Sequence, residues 1–309
     1  MVDNMTDSPR TITIRIGFEL TYEAVDPTPI TLLIQPRLEP WQRMERQQLS
    51  FEPQVNVEEY EDVHGNSAHR FRLPVGRSTI RQDGMVTLPP TAENYSYAGD
   101  PIPVGELPTT LLRYTLPSRY CDSDRLMDFA FGKFGQLQHG FVRVQAICDW
   151  LHRNIQYRWG GGSPYTSASE VISQGFGVCR DFAHTAIALC RCFNIPARYA
   201  TGHLPDVGFQ DSGSPMDFHA YLQVYIGHRW HTFDARFNVP RIGRIQIACG
   251  LDAVDGAFST LYGAANLAAF QVWAYQVDPA EVRLGDPIDL TKRLDGTPLL
   301  RFSSQGLAR

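Results

Sequence analysis

From Thr11 onward the chain alternates. Ile12, Ile14 and Ile16 fall on one side and Thr11, Thr13 and Arg15 on the other, the period of a strand with one buried face. Strand-like runs follow at residues 31–35, 54–61, 67–73, 78–81 and 85–88, with His64-Gly65-Asn66 marking a hairpin turn. No useful helical period occurs before residue 120, so residues 1–100 are expected to form a β-rich N-terminal domain. Residues 89–119 are rich in proline and carry Gly99 and Gly105, and the domain boundary should fall there.

The period then changes to that of helices. Ser123 is placed to cap a helix over residues 124–134. Val144, Ile147, Leu151 and Ile155 predict a longer helix over 141–155. Ser167-Ala168-Ser169-Glu170 matches a capping box opening a short helix. Phe182, Ala186, Leu189 and Phe193 share one face of another helix, which Asn194 and Pro196 stop. Strands return at 197–203, 220–226, 229–234 and 244–249, and residues 268–277 read as one more strand or a short helix. Residues 101–277 are thus expected as an α+β catalytic domain of helices on an antiparallel sheet, and 278–309 as a polar tail in which Leu299, Leu300 and Phe302 could dock.

Composition sets bounds rather than a function. The chain has 309 residues, 43% hydrophobic and 20% charged, enough for a sizeable core. A net charge of −5 with no basic run argues against nucleic acid. No run approaches the roughly 18 apolar residues of a membrane span. The acidic, polar start and the six cysteines of a long chain suggest reduced thiols in a cytoplasmic protein.

The candidate chemistry lies in Gly175-Phe176-Gly177-Val178-Cys179-Arg180-Asp181. Cys179 falls at or just before a helix start, where free N–H groups and the dipole favour a thiolate, the nucleophilic form. The two glycines permit a tight bend and close approach of a substrate. A base and its orienter are needed as well. If Gly227-His228 is a two-residue hairpin loop, Tyr221 faces Asp234, and His219 and Asp234 become diagonal neighbours on one face of the sheet. A slip of one residue would separate them. The loop over 204–217 leads into His219 and is expected to wall the site and move. His203, ending the preceding strand, is a candidate substrate contact.

Competing readings are weaker. Cys179 and His184 are poorly spaced as metal ligands, and no Cys-x-x-Cys pattern occurs, so no metal is expected. Asp181 reads as structural in a first helical turn. Arg180 could hold the thiolate, a loop, or neither. His184 and His231 are placed away from the nucleophile.

Four blocks in order resemble the transglutaminase-like superfamily, and more narrowly its bacterial members labelled cysteine proteases. They are Gly177 to His184, Ile195 to Gly202, His219-Ala220, and Trp230-His231-Thr232-Phe233-Asp234; residues 117–124 are similar to that group as well. The resemblance covers roughly residues 107–265. It implies Cys179 as nucleophile, His219 as general base and acid, and Asp234 as orienter, in a papain-like core behind a β-rich N-terminal domain. One departure is Asp234-Ala235-Arg236, where many relatives have Asp-Pro-Thr.

The expected function is a cysteine-dependent amide hydrolase, a peptidase or amidase working through a thioester. It would need no cofactor and would act on a peptide or protein amide. Backbone N–H of Cys179 is one expected oxyanion donor and Tyr157 a weaker one. The alternatives are a protein-glutamine acyltransferase with the same triad, an acyltransferase fed by a bound acyl carrier, and a peptide-binding module with a relic triad. Oligomeric state is not legible.

Overall fold

The computed structural model describes residues 11–93, 101–209 and 215–295. In its first part β1 (Ile12–Ala24), β2 (Thr28–Leu33), β3 (Arg43–Glu52), β4 (Glu58–Glu61), β5 (Ser67–Leu73) and β6 (Gly76–Leu88) precede the helices α1 (Met127–Phe134) and α2 (Phe141–Asn154). There follow β7 (Gln156–Tyr157), α3 (Ala168–Gln174), β8 (Phe176–Gly177), α4 (Cys179–Arg191), β9 (Ala197–His203), β10 (His219–Ile226), β11 (Arg229–Phe233), β12 (Ile245–Gly250), β13 (Ser259–Leu261) and β14 (Ala265–Val277).

Two four-stranded sheets, ordered β14-β1-β6-β3 and β13-β2-β5-β4, form the β-rich unit. Phe18, Leu20 and Ile80 from one meet Ile30, Leu32 and Phe71 from the other in a shared core. The apolar face of β1 is buried along its length, with Ile14 and Ile16 packed against Val207, Ile242 and Ile245 of the second unit, and its other face is buried too, at Arg15, Gly17 and Thr21. Arg15 is therefore not a solvated strand residue. It is 1% exposed and ion-paired to Asp83 at 2.6 Å. That pair also explains why residues 78–81 and 85–88 are one strand: Gln82 and Asp83, polar residues between two apolar runs, are themselves buried within β6.

The second unit is built on the antiparallel sheet β11-β10-β9-β12, with α4 packed along β10. α4 is enclosed. Phe182, Ala186 and Leu189 join Val144 and Leu151 of α2 and Leu222 and Val224 of β10 in the largest buried cluster. The helical expectations hold, with one change at Ser123. It lies in a 3-10 turn, Ser123–Arg125, and makes no side-chain cap; α1 starts only at Met127.

The C-terminal strands return to the first unit. β14 pairs antiparallel with β1 from Ala24↔Ala265 to Thr13↔Val277, and β13 pairs with β2. Residues 259–277, assigned from sequence to the catalytic domain, thus complete the N-terminal sheets. The described part of the tail follows them, with Val282, Leu284 and Ile288 packed on Trp273 and Tyr275. Leu299, Leu300 and Phe302 lie outside the described residues.

Candidate active site

The position of Cys179 is set by a short run of local geometry. Gly175 ends α3 in the left-handed region, at φ +75°. Gly177 then passes close to α4: a Cβ there would come within 2.7 Å of the Cβ of Asp181. Asp181, 1% exposed, accepts from the backbone N–H of Val178 at 2.9 Å and closes the helix start around Cys179. Gly177 thus makes room for that cap. The parallel pairing of Tyr157 with Gly177 brings Tyr157 alongside this entry. Arg180 is turned away to the glycine loop, donating to the carbonyl of Ser163 and contacting Asp181.

The hairpin that carries the other two groups has the expected two-residue turn. Gly227 and His228 have φ of +58° and +65°, the signs of a type I′ turn. Leu222 pairs with Phe233, so the register continues to Tyr221 opposite Asp234. His219 Nε2 and Asp234 Oδ2 lie 2.7 Å apart. This leaves Nδ1 as the imidazole nitrogen available to a thiol. The backbone N–H of Ala220, the next residue, reaches the Cys179 sulfur, which joins helix start and strand start at one point.

Asp234 is 3% exposed and fully occupied. Oδ1 accepts from the backbone N–H groups of Arg236 and Phe237, at 3.1 and 3.2 Å. Oδ2 accepts from His219 and from Arg244 Nη2, the latter at 3.1 Å. Burial would raise this carboxyl, but His219, Arg244 and the Phe237 N–H outweigh it and hold it well below the usual range. Arg244 is in turn paired with Glu93. Neither Arg244 nor Glu93 was legible as part of the site.

Burial works against the thiolate that the helix start and the Ala220 N–H favour. Burial pushes the Cys179 thiol up to about 11, against the Ala220 N–H and the Arg236 charge, which favour the thiolate. Burial also lowers the His219 imidazole, and Arg244 and Arg236 add to that, while Asp234 opposes it. Burial thus opposes both charged forms, the Cys179 thiolate and the His219 imidazolium. Of the six cysteines only Cys179 is partly exposed; the other five are buried thiols.

A cleft of about 100 Å³ opens over Cys179 and His219, walled by Tyr157, Trp159, Asp217 and Arg236. Described parts of the loop over 204–217, including Leu204, Pro215 and Met216, line it as well. Tyr157 is on the wall, with burial keeping its phenol protonated as a donor. His203, expected as a substrate contact, does not line the cleft. Gly202 pairs directly with His219, so the next residue on β9 points to the opposite face. There His203 is 1% exposed, packed on the Phe218 ring, with no partner at either ring nitrogen among the described residues. His184 is a core residue: its Nε2 accepts from the backbone N–H of Ala253 and its ring stacks on Tyr120. Among the described residues no group of three or more His, Cys, Asp or Glu side chains is placed to hold a metal ion, and no helix is long and apolar enough to cross a membrane.

Comparison with known proteins follows the same division of the chain. Residues 128–235 match the model of the transglutaminase-like superfamily, and residues 14–86 match the bacterial transglutaminase-like N-terminal region. A Cytophaga hutchinsonii crystal structure described as a "putative cysteine protease" is 31% identical, with a TM-score of 0.80 over 87% of this chain and 92% of that one. The chain belongs to the transglutaminase-like superfamily. Among curated relatives, a Mycobacterium leprae protein is 30% identical over 117 residues, covering 37% of this chain and 42% of its own. A Mycobacterium tuberculosis protein is 25% identical over 153 residues, covering 46% and 49%. The match thus spans about half the length of these mycobacterial relatives. As a transglutaminase-like protein, the chain has its helices, sheet and β-rich N-terminal region arranged as in the Cytophaga structure.

Proposed function

We propose that the protein is a cysteine-dependent amide hydrolase, a peptidase or amidase acting on peptide or protein amides. The observation that carries this reading is the 2.7 Å contact of His219 Nε2 with Asp234 Oδ2, beside a partly exposed cysteine at a helix start. The description of the Cytophaga relative as a "putative cysteine protease" supports it.

In the proposed mechanism His219 Nδ1 takes the Cys179 proton as sulfur attacks the amide carbonyl. A C–S bond forms and the carbonyl π pair moves to oxygen. Asp234 stabilises the imidazolium and holds the ring by Nε2. The Cys179 backbone N–H and the Tyr157 hydroxyl are the donors assigned to the oxyanion. Collapse breaks the C–N bond, and His219 returns its proton to the departing amine. Water, deprotonated by His219, then attacks the thioester and releases an acid and the free thiol. An amine in place of water would give acyl transfer through the same intermediate.

Peptide-amide turnover by purified wild-type, Cys179→Ala and His219→Ala proteins tests the reading, with hydroxylamine as a competing acceptor. Loss of hydrolysis in both variants is expected. Full activity in Cys179→Ala overturns the nucleophile. Hydroxamate formation that outpaces hydrolysis by far would move the assignment to acyl transfer.

A further inference from the structure

Arg236 stands two residues beyond Asp234, and the mechanism leaves it without a task. Its backbone is tightly held. Its N–H donates to Asp234 Oδ1 at 3.1 Å, and its carbonyl accepts from His152 Nδ1 at 2.7 Å. Its guanidinium is clamped between two rings, 3.6 Å from the centroid of Tyr157 and 4.2 Å from that of Phe237. Stacking fixes the plane of the group and leaves its N–H fork unused. The guanidinium makes no hydrogen bond or ion pair among the described residues, and Nε is buried without an acceptor.

The setting is the cleft itself. Arg236 lines it together with Cys179 and His219, and its charge bears on both. The other arginine of the cleft is already engaged: Arg241 donates to the Pro205 carbonyl and pairs with Asp206. Asp217 is the carboxylate nearest in kind, yet it does not pair with Arg236; it accepts from the N–H of Phe218. A fixed, planar, unpaired guanidinium beside a nucleophile is a receptor for a carboxylate, which can bridge two of its N–H groups. Leaving such donors unmatched in a partly desolvated wall is unfavourable, so an incoming acceptor gains from them.

We propose that Arg236 is the specificity-determining residue of this cleft and receives a carboxylate carried by the substrate next to the scissile amide. This inference rests on the Cys179 reading above and narrows its substrate class to acidic peptides or peptide ends.

Alkylation of Cys179 tests it without any turnover. Iodoacetate presents a carboxylate one carbon from the atom attacked, and iodoacetamide is its neutral counterpart. In either reaction sulfur displaces iodide, a C–S bond replacing C–I as the thiol proton is lost. The quantity read is the iodoacetate-to-iodoacetamide rate ratio at Cys179 in the native protein, divided by the same ratio in the urea-unfolded chain. For the wild type this quotient should be about tenfold, the worth of one modest charge-assisted contact. It should fall to near one in Arg236→Gln and lie between in Arg236→Lys, which keeps the charge without the fork. A quotient near one in the wild type, or one unchanged by either substitution, overturns the inference while leaving the nucleophile intact. Native Cys179 that resists both reagents overturns the nucleophile, and this inference with it. Peptide amides bearing either a neighbouring glutamate or a free C-terminal carboxylate are then used to protect Cys179 from iodoacetamide. Whichever protects identifies the source of the carboxylate, and protection by neither overturns the proposal.

Discussion

Arg244 Nη2 lies 3.1 Å from Asp234 Oδ2, the same oxygen that accepts from His219. One carboxylate oxygen is thus shared between a base and a permanent cation, with Glu93 behind the cation. The arrangement keeps Asp234 ionised and draws positive charge away from His219, whose imidazole is lowered partly by Arg244.

Replacing Arg244 by Met should therefore act on pH dependence as well as stability. Loss of the positive charge raises the His219 pKa, so the imidazole stays protonated to higher pH and the acid limb of kcat/KM moves upward. The buried Asp234 loses one of its two cationic or basic partners and the half-buried Glu93 loses its contact with Arg244, which should cost about 3 kcal/mol. A pH–rate profile and urea unfolding on the same variant measure both. An unmoved acid limb would separate Arg244 from the base.

Asp234→Asn should lower kcat by about a thousandfold or more. Oδ1 now meets two backbone N–H groups and Oδ2 meets two side-chain donors, so the site contains only donors. Either orientation of the amide sets its NH₂ against some of them. With NH₂ toward His219, the imidazole must turn its proton to Nδ1 and can no longer accept one from sulfur. A variant with near wild-type kcat would refute the orienting role.

Because the thiol is pushed up to about 11, its thiolate fraction should keep growing well above neutrality. The iodoacetamide rate at Cys179 is expected to climb about tenfold per pH unit from 7 to 10, with no plateau below. A plateau near pH 6 would instead reveal a resting thiolate–imidazolium pair.

His203 gives a stability prediction away from the chemistry. Burial lowers its pKa from 6.5 to about 3. The folded state therefore binds fewer protons than the unfolded state between those values. Its contribution is fully present above pH 6.5 and is lost as pH falls toward 3, by up to about 1.4 kcal/mol per pH unit. His203→Phe should flatten that part of the stability curve in denaturant titrations at pH 4, 5 and 6. An unchanged slope would mean that the imidazole is not held neutral.

The core of the site was legible because it is local. The helix stripe from Phe182 to Phe193 puts Cys179 at a helix start, and the two-residue turn at Gly227-His228 brings His219 to Asp234, each fixing geometry over a few residues. Arg244 was not legible, since an arginine ten positions beyond Asp234 carries no pattern until β12 is known to flank β9. Burial was misjudged in the same way. An Arg15 in an alternating strand looks solvated unless the partner, Asp83 on another strand, is known. β3 escaped because it is an edge strand dressed in Arg43, Glu45, Arg46 and Gln47, polar on nearly every position. His203 was misplaced by one step of the pleat.

The union of β14 with β1 has a consequence for biosynthesis. β1 leaves the ribosome about 250 residues ahead of β14, so one flank of β1 stays unpaired until β14 has been made. The N-terminal sheets cannot finish before the β11-β10-β9-β12 sheet is made. Folding should be late and concerted, and slow in the manner of chains dominated by distant contacts. A chain arrested just after β12 would already hold Cys179, His219 and Asp234, while β1 and β2 still lacked their outer partners β14 and β13.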